Sequence, residues 1–227
     1  MDYDTDELRA AIDERHSVRK YTGEPIPADI SSQLRDFIKA CAEESGLVME
    51  LVEDDKDAFK GLMGKMIGFS GSPAYVAIAG PSDDPPLERA GYYGELVVLK
   101  AQTLGLNTCW AMMCSRKHME SRLPAGIKMI IGIAVGIGID QGKPHKDKPV
   151  EKVCDPDDIR IWYMKGIQAA MKAPTAMNRQ AFRIVADNDK VSVVNTGGRI
   201  NRIDAGIVRL HFELGAGNGK FEWADTI

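Results

Sequence analysis

Ala173-Pro174-Thr175-Ala176-Met177-Asn178-Arg179-Gln180-Ala181-Phe182 joins a helical pattern to a strand pattern, and its reading decides the fold. Upstream, Met164 to Lys172 has the spacing of a helix, which Pro174 ends by removing a backbone donor; downstream, Phe182-Arg183-Ile184-Val185-Ala186 has strand composition. The turn between them, Pro174-Thr175-Ala176, is built of small residues and leads into two amides. Asn178 and Gln180 each offer donors and an acceptor, so together they can match the alternating carbonyl and N–H edge of a planar heterocycle. A capped helix followed by a strand has the same appearance without any ligand. Other segments decide between the two.

Arg15-His16-Ser17-Val18-Arg19-Lys20-Tyr21 follows a short amphipathic helix predicted over about Glu7 to Asp13. Guanidinium groups bind phosphate oxygens in a bidentate way and a serine hydroxyl adds a short hydrogen bond. Arg15, Ser17 and Arg19 on an extended stretch can therefore grip a phosphomonoester, with His16 as a further donor. A solvated basic loop is the plainer reading of the same residues. Further on, Leu96, Val97, Leu99, Thr103 and Leu104 fall on helical spacing from Gly94 and stop at Gly105. Beyond that stop, Thr108, Cys109, Trp110 and Ala111 emerge at the edge of the core, where backbone groups can reach a ligand and Trp110 can cover one. Core packing alone also accounts for this helix.

Together these three segments resemble the nitroreductase family of FMN-dependent oxidoreductases over most of the chain. Arg15 to Arg19 is similar to that family's Arg-x-Ser-x-Arg element, Ala173 to Phe182 to its Ala-Pro-Ser-x-x-Asn-x-Gln-Pro-Trp element, and Leu104 to Trp110 to its Leu-Gly-Leu-Gly-Thr-Cys-Trp element. Lys128 to Gly136 reads as a buried strand closing on glycine, as the family has there. The family's following arginine, near the cofactor phosphate, is replaced here by Lys148 in Pro144-His145-Lys146-Asp147-Lys148-Pro149, which keeps the charge but loses the fork. Thr175 stands for serine, Ala181 for proline and Phe182 for tryptophan. The order also departs from the commonest pattern. The early slot, Ala40-Cys41-Ala42-Glu43-Glu44-Ser45-Gly46, lacks the proline and amides, which occur instead in the second half of the chain. That rearrangement resembles the subgroup named Putative TM nitroreductase, a label that does not denote a membrane span.

The displaced element suggests an internal duplication. A helix, a small-residue junction and a strand occur at Leu34 to Val52 and at Ile161 to Ala186, each followed by an acidic turn; Gly94 to Gly105 and Asp204 to Gly215 are both helical runs ending in Leu-Gly. Two unrelated helix–strand units remain an alternative. The duplication predicts a first half over residues 1–145 and a second over residues 155–227, joined by a linker within Gly142 to Asp158, the whole forming one compact domain. One chain would then supply both halves of a site, so a monomer could suffice, with a homodimer still open.

At 227 residues, with 44% hydrophobic and 27% charged residues, the chain has ordinary globular composition. No apolar run approaches the roughly 20 residues that span a bilayer, and the acidic start Met1 to Glu7 does not read as a secretory signal. A cytoplasmic protein is expected. A net charge of −4 argues against a general nucleic-acid surface. Cys41, Cys109, Cys114 and Cys154 form no C-x-x-C pair and the four histidines lie apart, so no metal site is expected. Cys109 reads as a small core residue rather than a redox thiol, and His118, His145 and His211 as surface or satisfied core positions. Met63, Met66 and the glycines of Gly61 to Ser72 suit a pocket wall or a surface connection, while Met112 and Met113 suit an adaptable pocket or core.

The resemblance implies an α+β fold with a mainly antiparallel sheet flanked by helices, two pseudo-repeats, and non-covalent FMN. No Gly-x-Gly-x-x-Gly turn is present to cradle a pyrophosphate, which favours FMN over FAD. It further implies ping-pong hydride transfer from NADH or NADPH to an electron-poor acceptor of nitroaromatic or quinone type, with no side chain required as a general acid. Arg15, His16, Ser17, Arg19 and Lys148 would serve the phosphate. Pro174, Thr175, Ala176, Asn178 and Gln180 would serve one flavin edge and Thr108, Cys109, Trp110 and Ala111 the opposite side. A flavin-binding or sensory protein without turnover is the alternative on the same fold.

Overall fold

A computed structural model describes the chain except for residues 1–2, 56, 60–67, 72–73, 113–115, 200 and 218. Met63, Met66, Met113, Cys114 and most of the 61–72 stretch lie outside the described residues. The architecture is α+β, and the chain divides into two compact units. The first takes Glu14–Pro86 and Leu96–Pro144; the second takes Tyr3–Asp13, Leu87–Glu95 and His145–Ile227.

In the first unit, helix α2 (Ala28–Ser45) buries Leu34, Ile38, Cys41 and Ser45, positions three or four apart that share one face. It stops at Gly46, whose φ of 69° is a left-handed conformation cheap only for glycine and whose N–H returns to the Ala42 carbonyl. Strands β1 (Val48–Val52), β2 (Ala74–Pro81), β3 (Asn107–Ala111) and β4 (Ile127–Gly136) form one sheet in the order β1-β2-β4-β3, antiparallel at every pairing. From Ala74 to Gly80 every residue of β2 is buried, so this central strand is covered on both faces and reads as a continuous apolar run rather than an alternation. Val76 lies opposite Ile133 in the β2–β4 ladder. A short helix α4 (Lys117–Glu120) leads into β4.

Helix α3 (Leu87–Thr103) starts directly after Pro86, whose ring ends the preceding proline-rich connection. Its first nine residues belong to the second unit and the remainder to the first. It ends as predicted at Gly105, with φ 77°, where Leu106 N donates back to Ala101 O and the chain enters β3.

The second unit contains helix α1 (Thr5–Glu14) up to Asp13, the start of α3, α5 (Ile161–Met171) and α6 (Asn201–Ala216), with strands β5 (Phe182–Asp187), β6 (Lys190–Asn195) and β7 (Glu222–Trp223). β5 and β6 form a hairpin around Asn188-Asp189, with Asn188 at φ 54°, and β7 adds to β6 in parallel. α6 is buried almost all round and meets its neighbours at glycines. A Cβ on Gly206 would lie 1.8 Å from the Glu88 carbonyl oxygen, and one on Gly91 would lie 2.0 Å from that of Ile203. Trp162, Tyr163, Phe212, Phe221 and Trp223 make a ring cluster beside α6, with Trp162 and Phe221 stacked at 5.8 Å. The order α2-β1-β2-α3-β3 recurs as α5-β5-β6-α6-β7, although the two sheets differ in strand number and in pairing.

Candidate active site

In the first unit the Arg15–Tyr21 stretch is extended and anchored along both edges. Ser17 pairs in parallel with Thr108, and Val18 N donates to Thr108 O at 3.0 Å. On the other side Tyr21 N donates to Ser70 O, Thr22 N to Ile137 O and Ile139 N to Lys20 O, each at 2.9 Å. Val18 and Tyr21 enter a core cluster with Phe69, Cys109, Ala111 and Ala134, which fixes the stretch by its apolar residues. The polar ones differ in depth: Arg15 is buried at 4% exposure, Ser17 half-buried and Arg19 exposed. All three lie around Cys109. Burial pushes the Cys109 thiol up, against the opposing charge of Arg19, a hydrogen bond with Ser17 and the charge of Arg15. Two segments separated by some ninety positions in sequence, each picked out on its own, thus meet main chain to main chain.

Asn107 was not picked out, and it organises the wall beside this stretch. Its Oδ1 accepts from Gly138 N at 3.0 Å and its Nδ2 donates to Gln141 Oε1 at 2.9 Å, holding the 137–142 loop. In that loop Gly142 has φ 73°, and a Cβ there would lie 2.8 Å from the His16 Cβ. An asparagine just after the helix stop at Gly105 is the only signal the sequence offers; its burial is a fact of the fold.

In the second unit α5 ends at Met171, and Ala173 and Pro174 are buried before the chain turns. Met177, Asn178 and Gln180 have φ of 55°, 52° and 43°, left-handed values that residues with a Cβ adopt at a cost. Thr175 ties the turn together: its Oγ1 accepts from Gln180 N at 3.0 Å and its carbonyl accepts from Asn178 N at 2.9 Å. The two amides bind the 145–148 segment. Gln180, 1% exposed, accepts from Lys148 N through Oε1 at 2.6 Å and donates to Met171 O through Nε2 at 3.4 Å. Lys148 Nζ donates to Gln180 O at 3.0 Å, and Asn178 Nδ2 donates to Lys146 O at 2.8 Å. His145 adds a bond from Nε2 to Met171 O at 2.9 Å, facing Asp147 Oδ1 at 3.1 Å. Lys148, Asn178 and Gln180 are therefore brought together, through bonds to one another. Met177 stands at the tip of the turn, 86% exposed.

Asp204 of α6, also not picked out, is buried below this turn. Both of its oxygens face Ala176 N, at 3.1 and 3.2 Å, and Oδ2 accepts from Asn201 Nδ2 at 2.8 Å. Burial raises its carboxyl above the ordinary 3.8, with the Asn201 and Ala176 donors opposing. The folded chain thus holds this proton more tightly than the unfolded chain, so the contribution of Asp204 to stability falls as pH rises from 3.8 through the higher folded value. Denaturation midpoints of the wild type and Asp204→Asn, followed against pH, should show the wild type losing ground to the variant over that window; parallel curves would contradict it.

His211 and Glu95 form a fully buried pair, each 0% exposed, with Nε2 and Oε1 2.9 Å apart. The His211 Nδ1 lies 3.1 Å from Ala169 O, which can only accept, so Nδ1 carries a hydrogen. The Nε2–Oε1 contact then needs exactly one further proton, on the ring or on the carboxyl. Arg209, 2% exposed, binds Glu88 at 2.9 Å and Asp225 at 3.1 Å and covers the Trp223 ring at 4.3 Å. Asp204, Arg209 and His211 fall among apolar residues along α6, which is the signal of their burial in the sequence.

A family model described as Putative TM nitroreductase matches residues 7–216. The chain belongs to that family. Among solved structures, a nitroreductase family protein from Thermotoga maritima superposes with a TM-score of 0.66 at 19% identity, covering 95% of this chain and 86% of that one. A putative nitroreductase in complex with FMN from Exiguobacterium sibiricum gives a TM-score of 0.51 at 12% identity, covering 67% of this chain and 96% of that one. A putative nitroreductase in complex with FMN from Desulfovibrio desulfuricans gives 0.51 at 15% identity, covering 64% and 94%. At these identities the likeness concerns the fold, which is nitroreductase-like. No curated protein matches the sequence. No helix among the described residues is long and apolar enough to cross a membrane.

Proposed function

We propose that this nitroreductase family member is an FMN-dependent oxidoreductase that takes hydride from NADH or NADPH and passes it to an electron-poor acceptor of nitroaromatic or quinone type. The observation that carries the reading is the pairing of the Arg15–Arg19 stretch along Thr108, which gathers two guanidinium groups and a hydroxyl on a fixed main chain. That donor set fits a phosphomonoester: planar forks and a short hydroxyl, one cation buried and one exposed. Arg15, Ser17 and Arg19 would hold the phosphate with His16 beside them, and the Thr108–Ala111 main chain would lie along the ring. The turn Pro174–Gln180 and Lys148 are assigned to flavin binding as the family resemblance implies, with Thr175 fixing the turn. FMN supplies the two-electron chemistry when bound. The protein's part is to orient the ring, to keep one face accessible and to place donors where the reduced form carries negative charge.

Titration of the protein with FMN, followed by its visible absorbance, tests this reading. Arg15→Ala should lose about 1.5–3 kcal/mol of charge-assisted bonding, one to two decades in the dissociation constant. Cys109→Ala, which alters a thiol whose role is packing, should bind FMN as the wild type does. Loss of FMN in the cysteine variant with retention in the arginine variant would reverse the assignment. Tight FMN binding without steady-state oxidation of NADH or NADPH would mark a binding or sensory protein.

A further inference from the structure

We propose that α6 serves as a jig for the Thr175–Gln180 turn, with Asp204 as the positioning residue that sets the turn through the Ala176 N–H. The geometry stands by itself; its consequence for cofactor binding rests on the flavin reading above.

Asp204 and His211 are seven residues apart on α6 and so lie on one face, two turns from each other. They take hold of the main chain at either end of the segment that leads from α5 into the turn: His211 Nδ1 bonds the Ala169 carbonyl at 3.1 Å, and the Asp204 carboxyl faces the Ala176 N–H at 3.1 and 3.2 Å. Asp204 is in turn braced. Asn201 Nδ2 donates to it at 2.8 Å, and Asn201 Oδ1 accepts from Gly198 N at 3.1 Å. Directly after the anchored Ala176 come three left-handed non-glycine residues, Met177, Asn178 and Gln180. Such conformations persist only where the surroundings over-determine them. The Asp204 carboxyl bonds the main chain just ahead of this run, and its own position is fixed from α6. Burying a carboxyl here carries a desolvation cost that a surface cap would not, as its raised proton affinity reflects.

The test uses the full chain without flavin and then with it. In hydrogen exchange, Asp204→Ala should speed the amides from Ala176 to Gln180 about tenfold, the effect of one lost charge-assisted bond, while α6 and β5–β6 amides keep their rates. Asp204→Asn, which still offers an oxygen to Ala176, should restore most of the protection. In FMN titrations Asp204→Ala should weaken binding about tenfold and shift the visible band of the bound flavin, with Asp204→Asn close to wild type. Wild-type exchange at Ala176 in Asp204→Ala would overturn the jig whether or not flavin binds. The expected exchange pattern in a protein that binds no FMN would leave the jig standing and overturn the flavin reading. If the alanine variant fails to fold, Asn201→Ala reads the same link by removing the brace on Asp204: faster exchange at Ala176 is expected, and wild-type rates there overturn the proposal.

Discussion

Replacing Gly206 by valine is expected to abolish the folded second unit, the largest effect of any single substitution considered for this chain. Even a bare Cβ at this position would lie 1.8 Å from the Glu88 carbonyl oxygen and 2.7 Å from Tyr92 N. Both are main-chain atoms of α3, so no side chain can rotate aside, and the helices must part. Overpacking a core that can yield costs about 1–3 kcal/mol. Here parting the helices also breaks the Arg209–Glu88, Tyr92–Glu213 and His211–Glu95 contacts, which all bridge α3 and α6. The combined loss should exceed about 4 kcal/mol, in the exceptional range for a point change. Urea denaturation followed by circular dichroism reads it, with Gly198→Ala as control, since a Cβ on Gly198 meets nothing within 4 Å. A Gly206→Val protein with the wild-type midpoint would show that α3 and α6 do not approach at this glycine.

Glu95→Ala is expected to cost roughly 3–5 kcal/mol, the range found when one member of a buried pair is removed and the other is left without compensation. The proton count sharpens the expectation. With Nδ1–H committed to Ala169 O, the His211 Nε2 must either donate to a carboxylate or accept from a donor. Glu95→Gln supplies an amide N–H in place of a shared proton, so a neutral imidazole can accept it with no charge left buried. The glutamine variant should therefore retain most of the stability that the alanine variant loses. Equal destabilisation by the two would mean that the carboxylate charge itself, rather than the hydrogen bond, holds this position.

The parts of the fold that were legible are those decided by local chemistry. The predicted 164–172 helix and the strand from Phe182 appear as α5 and β5, because Pro174 and the β-branched run act over a few residues. α3 is legible from the apolar spacing of Leu96 to Leu104, but its glycine at 91 is not: the Ile203 carbonyl is packed against it, a fact of tertiary contact alone. β6 went unread although its turn was seen, as Lys190-Val191-Ser192-Val193-Val194-Asn195 is short and half-exposed. The site shows the same division. Residue types in the 15–19 and 173–182 segments were legible, but the partners of Gln180 on Lys148, and of Ala176 on Asp204, lie about thirty positions away in sequence and depend on how the chain returns. His211, expected to be a surface or satisfied core residue, proved to be core, satisfied by Glu95 and Ala169.

The hidden thiols give the two units separate clocks. Cys41 and Cys109 are buried in the first unit and Cys154 in the second, and burial pushes all three thiols up, Cys41 to about 12. Thiolate is the reacting species, so an alkylating reagent is held off twice, by access and by protonation. Modification at each then waits for the segment around it to open. Peptide-resolved alkylation over time would thus give one opening rate from Cys154 and another from Cys41, and the ratio of the two would report which unit opens first around its thiol.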